Sequence, residues 1–343
     1  MTWYMDKGPD SDVILSSRVR LARNLCDLPF PNRLDTERAA ALSKTVSDAF
    51  IGESRDRRAD YLDVDLGCLA EEDRMALAEK RLISEDLARF GECRRAIISR
   101  DESVSIMVNE EDHIRIQAMV AGLDLDAAYR KAEAVALLIE SRMPIAYSEK
   151  YGFLTACPTN TGTGMRASVM AHLPGLAMIS MLRGAIESLG KMGFAVRGNY
   201  GEHSQASGNL FQISNQITLG LSEDELVADL RRVVAQLISQ ERKARQAIYD
   251  ADPVGMRDRA SRALGLLRCA RRMSSEEAIR LISDVRLGLA LGLLSDVTEE
   301  SLNRAIVSIG PASVQKNAGR LMGETERDVA RAETLQSILI SRD

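Results

Sequence analysis

Thr155-Ala-Cys-Pro-Thr-Asn-Thr-Gly-Thr-Gly-Met-Arg166 is the stretch on which the reading of this chain turns. It places a thiol (Cys157), a proline, several hydroxyls, two glycines and an arginine in one turn-rich segment. Phe153-Leu154 leads into it and the alternating run Ala167 to Leu173 leads out, which predicts two strands joined by a loop that bends at Gly162 and Gly164. A lone cysteine is most often a small buried hydrophobe, and Gly-Thr-Gly is most often only a turn. A thiol at a strand end beside such a loop is an odd arrangement for packing alone, so its surroundings decide its meaning.

The chain has 343 residues, enough for about two domains and a substantial core. Hydrophobic residues make up 45% and charged residues 28%, an ordinary globular balance. The net charge of −5 argues against an electrostatic nucleic-acid binder. Five cysteines, Cys26, Cys68, Cys93, Cys157 and Cys269, are widely spaced with no Cys-x-x-Cys. That pattern suggests neither a disulfide framework nor a zinc site, and fits a reducing, cytoplasmic setting. Asp6, Lys7 and Asp10 stand where a signal peptide needs an apolar core, and no run approaches the roughly 20 apolar residues of a membrane span. With only three histidines, chemistry must lean on carboxylates, arginines or the thiol.

Val13 to Arg23 starts apolar and then carries arginines at period two, which an extended segment sends to one side. Asp35 caps a predicted helix to about Phe50, residues 52–60 read as a charged loop, and 70–90 read as helix with a break near Ser84. Ala96 to Ser99 and Val104 to Val108 predict a hairpin, and His113 to Val120 a further strand. A helix over 127–141 follows. Strands are expected at 153–156, 168–173, 194–197 and 210–213, with a helix from Pro174 to Leu189. Ser222 and Glu225 form a capping box that opens a helix to about Tyr249. Neighbouring strands outnumber strict strand–helix alternation, so the fold class is α+β: an antiparallel sheet flanked by helices, followed by an all-α region. A composition shift at Asp252-Pro253 divides the chain into 1–252 and 253–343, the second with four or five helices.

Two further stretches carry chemistry. Asn109-Glu-Glu-Asp-His-Ile-Arg115 holds three consecutive acids, which at a strand end usually mark a solvated turn. Read functionally, it offers a carboxylate base and an arginine for an anion. Arg197-Gly-Asn-Tyr-Gly-Glu202-His203 places a base, two glycines and an acid on a loop. Together, Arg18, Arg20, Arg115, Arg166 and Arg197 sit at or beside strand ends or glycine turns, as do Glu111, Glu202 and Cys157. Phosphoryl transfer needs this division of labour: arginines and Mg²⁺ neutralise phosphate while acids hold and deprotonate a cationic nucleophile. A guanidinium, with its pKa above about 12, is such a nucleophile. Competing motifs fit worse. Gly162 to Ala167 matches a loose dinucleotide fingerprint but runs into strand rather than helix. Gly190-Lys191 is followed by Met192, so there is no P-loop, and the His-Arg-Asp and Asp-Phe-Gly motifs of serine/threonine kinases are absent.

Four blocks in order make the chain resemble the phosphagen (ATP:guanidino) kinases: Ser16-Ser-Arg-Val-Arg20, Val108 to Arg115, Cys157 to Pro174, and Arg197 to Leu221. The resemblance implies an antiparallel sheet holding MgATP, with Arg18, Arg20, Arg115, Arg166 and Arg197 as its phosphate arginines. It implies Glu111 and Glu202 as carboxylates on the guanidinium and Cys157 as the reactive thiol. About fifteen residues precede the first block and nearly a hundred follow the long helix, which resembles the bacterial protein arginine kinases within that family. Members of that branch phosphorylate arginine side chains in proteins, marking stress-damaged or regulatory proteins for a Clp protease. In some bacteria they work with a zinc-binding activator.

The branch also recognises phosphoarginine through an Arg-Asp-x-x-Arg-Ala motif, matched here by Arg327-Asp-Val-Ala-Arg331-Ala332. It implies a regulatory site at Arg327, Asp328 and Arg331, and dimerisation through the helical region. Two rivals remain at this point: a kinase of free arginine or another small guanidine, and a non-catalytic phosphoarginine reader.

Overall fold

The computed structural model describes residues 2–52, 54–198 and 207–340. Its strands are β1 (Ile14–Arg23), β2 (Tyr61–Asp65), β3 (Arg95–Ser99), β4 (Val104–Val108), β5 (Ile114–Ala121), β6 (Tyr147–Ser148), β7 (Gly152–Phe153), β8 (Met165–His172), β9 (Phe194–Gly198) and β10 (Leu210–Asn215). Eight of them form one antiparallel sheet in the order β2-β3-β4-β5-β1-β8-β10-β9, and β6 and β7 pair separately.

Strand periodicity sorts this sheet into two unlike faces. Val19 lies opposite Ala118 and Ala167, and Leu21 opposite Ile116 and Met165. This face is buried under the helices Thr36–Phe50, Leu125–Glu140 and Glu223–Ala251, which contribute Val46, Phe50, Ala132, Ile139, Leu230 and Val234 to one core. The opposite face has two separate roofs. Over β3 to β5, Ala96, Ile98, Met107 and Met119 pack beneath Leu66, Leu82 and Leu87. At the far end, Met170 and Leu210 pack beneath Leu264, Ile279, Ile282 and Leu335 of the C-terminal helices. Between the roofs, part of the sheet face stays open.

The C-terminal region consists of helices Pro253–Cys269, Ser275–Ala290, Glu299–Ser308, Pro311–Ala318 and Glu324–Ile340, with caps at Asp252, Ser274 and Thr298 and Pro311 at a helix start. A polar seam joins it to the sheet. Buried His172 shares its Nε2 with Ser283 Oγ at 2.8 Å, and Asn209 Nδ2 donates to the same hydroxyl at 3.1 Å. Glu79 links the two roofs: its carboxylate accepts from Ala312 N at 2.8 Å and Ser313 N at 2.7 Å, capping the helix Pro311–Ala318 from outside. No helix among the described residues is long and apolar enough to cross a membrane.

The break expected near Ser84 is present: the 70–90 segment forms Glu71–Glu79 and Glu85–Arg89, the second capped by Ser84. Three sequence expectations are revised. The charged loop at 52–60 contains the helix Arg55–Asp60, and an edge strand, β2, follows it. Its Asp63 and Asp65 hid the strand; both pair with Arg95 on β3. The helix expected from Pro174 to Leu189 breaks at Ser180, whose φ is 60°, into Pro174–Met178 and Leu182–Lys191. The first piece is pinned at its N-terminus, where Gly175 N and Leu176 N donate to the buried Glu241 carboxylate. The strand over 153–156 stops at Phe153, because the chain turns away into the Cys157 loop.

Candidate active site

Strand register gathers the arginines. Arg20 on β1 lies directly opposite Arg166 on β8, and Ala22, two residues further on, lies opposite Arg115 on β5. Arg18 lies opposite Ser168, while Gln212 on β10 lies opposite Arg197 on β9. Directly opposed residues share a face, so all five arginines project from the open face between the roofs. Arg18 Nη2 donates to Gln212 Oε1 at 2.7 Å and its Nε to Ser168 Oγ at 3.3 Å.

Four of the five, together with Glu111 and Cys157, line a cleft of about 670 Å³. Arg18 stands behind Arg20 on the same strand. Arg20 Nε and Arg166 Nε are shut off from solvent and have no hydrogen-bond partner. Burial, with Arg81, Arg115 and Arg166 nearby, pushes Arg18 down to about 9. Burial and the neighbouring Arg18, Arg115 and Arg166 push Arg20 well below its ordinary value, against a small opposing pull from Glu110. Arg166 is lowered by burial and by Arg197 and Arg115, with Cys157 and Glu111 opposing. An arginine keeps its proton under almost any condition. Burial is the first cause of each depression and the neighbouring arginines the second, so Arg18, Arg20 and Arg166 form a buried cluster of like charge suited to an anion.

The three consecutive acids have separate tasks. Glu110 is nearly buried and pairs with Arg115 Nη1 at 2.6 Å; Glu111 is half-exposed at the rim and meets Arg115 Nη2 at 3.1 Å. Asp112 is fully buried, and its Oδ1 accepts from Asn24 Nδ2 and from Ala156 N, both at 2.7 Å. Asp112 thereby ties the acid turn to the residue preceding Cys157. The thiol is half-buried, with Thr159 Oγ1 3.0 Å from its Sγ. Thr218 Oγ1 holds the loop's other limb, its one proton lying between the carbonyls of Thr159 at 2.9 Å and Thr161 at 2.7 Å. Gly162 has φ 118°, and a Cβ there would strike the Thr218 backbone, so glycine is required for the two segments to approach this closely. Glu202 and His203 lie outside the described residues.

Sequence reasoning missed Ser84, Asp86 and Arg94, which also line the cleft, and Arg81, which adds to the charge around Arg18. They belong to the roof over β3 to β5, and their only signal was the break at Ser84. A smaller cavity of about 200 Å³ lies beside the arginine cleft, walled by Trp3, Leu15, Arg81, Met170, Leu210 and Ile306.

Far from the cleft, Arg331 is buried and already committed. Its Nε donates to Ile309 O at 2.7 Å, and its Nη1 to Met273 O at 2.8 Å and Asp328 Oδ1 at 2.6 Å. Asp328 thus holds Arg331, its neighbour one helical turn along, while Arg327 is half-buried and donates to Met322 O at 3.4 Å.

An antiparallel sheet whose open face gathers five arginines, with a carboxylate and a thiol at the rim, is chemically suited to an anionic ligand beside a cationic one. The family model for the ATP:guanido phosphotransferase C-terminal catalytic domain matches residues 41–244, and that for the protein-arginine kinase McsB C-terminal domain matches 253–343. The chain belongs to the ATP:guanido phosphotransferase family. Among curated relatives, the protein-arginine kinase of Halothermothrix orenii is 43% identical over 337 residues, covering 98% of this chain and 96% of that protein. The protein-arginine kinase of Caldanaerobacter subterraneus subsp. tengcongensis is 45% identical over 334 residues, covering 97% and 99%. The activity is accordingly that of a protein-arginine kinase, using ATP to phosphorylate arginine side chains of proteins.

Solved structures share the fold. The duplicated taurocyamine kinase of Schistosoma mansoni with bound transition-state-analogue components aligns with TM-score 0.58 at 29% identity, over 67% of this chain and 33% of that one. A lombricine kinase aligns with TM-score 0.59 at 24% identity, over 71% of each chain, a likeness of fold alone.

Proposed function

We propose that Arg18, Arg20, Arg115, Arg166 and Arg197 hold the phosphates of ATP, and that Glu111, Glu202 and Cys157 cage the guanidinium of an arginine in a protein substrate. The observation that carries this reading is the arginine floor, where Arg20 Nε and Arg166 Nε are buried without a partner. Arginines cover the floor, and the one buried carboxylate of the lining, Glu110, is taken by Arg115, so the residues fit Mg²⁺ carried in on the nucleotide's phosphates. Bound there, Mg²⁺ supplies further neutralisation of the phosphate oxygens. The adjoining cavity lined by Leu15, Met170 and Leu210 suits the base of the nucleotide.

In the transfer, a guanidinium nitrogen gives its proton to a carboxylate and attacks the γ-phosphorus. The N–P bond forms as the bond to the β–γ bridging oxygen breaks, and ADP leaves with that electron pair. The arginines stabilise charge on the transferring group, and Cys157, beside Arg166, assists at the acceptor electrostatically.

Residues 253–343 serve as a second functional unit for dimerisation and recognition of phosphoarginine at Arg327, Asp328 and Arg331. Since Asp328 and Arg331 already bind each other, a ligand there engages Arg327 or displaces that pair. The physiological role is to mark proteins in the cytoplasm for a Clp protease under stress, with a zinc-binding protein as activator.

The test uses γ-labelled MgATP with an arginine-rich unfolded protein and, in parallel, with free arginine. Acid-labile label on the protein alone supports this reading. Label on free arginine alone reassigns the substrate, and no transfer to either favours a non-catalytic reader. Glu111→Gln should abolish transfer while ATP binding persists; equal activity would remove Glu111 from its role.

A further inference from the structure

A second recess, of about 450 Å³, opens on the other side of Glu111. It shares Arg94, Glu110 and Glu111 with the arginine cleft, so the two hollows meet at the rim where the acceptor guanidinium would sit. A substrate polypeptide is continuous, with successive Cα atoms about 3.8 Å apart. When one side chain reaches past Glu111 to the phosphate, a neighbouring side chain is carried over this recess.

The walls state what that neighbour should be. Three carboxylates, Glu92, Glu110 and Glu111, face one guanidinium, Arg94. Glu110 and Glu111 are engaged by Arg115, whereas Glu92 is exposed and makes no ion pair with a described residue. One residue of the recess wall, Asn109, also carries a buried acceptor without a donor. Asn109 is 6% exposed, and its Nδ2 donates to Ala39 O at 2.8 Å and Cys93 O at 2.7 Å. Two carbonyls fix the orientation of that amide, because a flipped Oδ1 would face both of them. Oδ1 is left without a partner, a state that buried polar atoms rarely keep unless something else supplies the donor. Leu34 adds an apolar wall suited to a methylene stem.

We infer that this recess is a subsite for a basic side chain flanking the target arginine. The enzyme then selects arginines in basic stretches of polypeptide rather than arginines at random. This inference rests on the protein-substrate reading above and adds a specificity to it.

Peptides with one arginine, and lysine, alanine or glutamate placed at each neighbouring position in turn, test it. The readout is kcat/KM for acid-labile phosphate. At one or more positions, lysine should exceed glutamate by about two- to fivefold, the range of a half-exposed charge pair. Glu92→Lys should invert that ratio and Glu92→Gln should shrink it, with MgATP binding confirming that each variant is folded. Equal rates whatever the neighbour, or a lysine preference that survives in Glu92→Lys, would overturn the subsite. Failure to phosphorylate any peptide would instead overturn the protein-substrate reading, and the subsite with it.

Discussion

Asp112 and Arg20 show how differently two charges are treated within one site. Asp112 is buried with two donors on its Oδ1, Asn24 Nδ2 and Ala156 N, while its Oδ2 has no partner. Removing it strands Ala156 N and one N–H of Asn24, so Asp112→Ala should lower stability by about 2 kcal/mol, read as a fall in the urea midpoint at unchanged slope. Arg20 has no such company and is crowded by Arg18, Arg115 and Arg166. Arg20→Met should therefore raise the stability of the nucleotide-free protein, on the order of 1 kcal/mol, while ATP binding is lost. A calorimetric melt paired with a binding titration checks both halves; a destabilised Arg20→Met would mean that the cluster is neutralised by the protein itself. At this scale much could be read from the chain. Period-two arginines on a strand must share a face, and Arg115 and Arg166 follow once their strands pair with β1. The separate tasks of Glu110, Glu111 and Asp112 could not be read, because three adjacent acids look alike until the turn fixes which one points at Arg115 and which at Ala156.

The elements were legible where apolar periodicity was strong and obscure where charge or burial overrode it. The hairpin of β3 and β4 and the capping box at Ser222 follow from local chemistry. Strand β2 was hidden by Asp63 and Asp65, whose placement on an edge makes sense only with Arg95 opposite. The helical piece before the break at Ser180 is pinned by Glu241, more than sixty residues away in sequence. Strand β8 ends in His172, which burial, then Arg245 and Arg286, hold well below the ordinary imidazole value of 6.5. The folded chain refuses a proton there that the unfolded chain accepts below about 6.5. Unfolded protein then binds more protons, so stability rises with pH and falls as pH drops through that value, by up to about 1.4 kcal/mol per unit. Burial lowers His113 as well, a shift of the same sign. Melting temperatures between pH 7.5 and 5 should decline, and His172→Gln should flatten the decline; an unchanged slope would place its origin elsewhere.

At the level of the whole molecule, the C-terminal helices form part of the roof over the sheet and are not a detached appendage. They cover Met170 and Leu210, receive Asn209 and His172 through Ser283, and are capped from the other roof by Glu79. Glu79→Ala should cost about 2–3 kcal/mol by releasing two backbone donors at once. A chain ending at Asp252 should expose the Met170–Leu210 patch and self-associate, which light scattering would show. A monodisperse, cooperatively melting fragment would refute that view. The composition shift at Asp252-Pro253 suggested a division there but gave no sign of this contact, because pairing across such a distance leaves no local pattern.

The buried cluster of arginines has a consequence beyond binding. A ligand that supplies the missing anions stabilises only the folded chain, by an amount that grows with the logarithm of its concentration. Nucleotide is then a structural component whose supply the cell controls. On the proposed role of these arginines as phosphate ligands, the protein would be sturdier where nucleotide is plentiful and closer to unfolding where it is scarce. The same charges that serve the transfer would then make the enzyme's persistence a gauge of how much ATP there is.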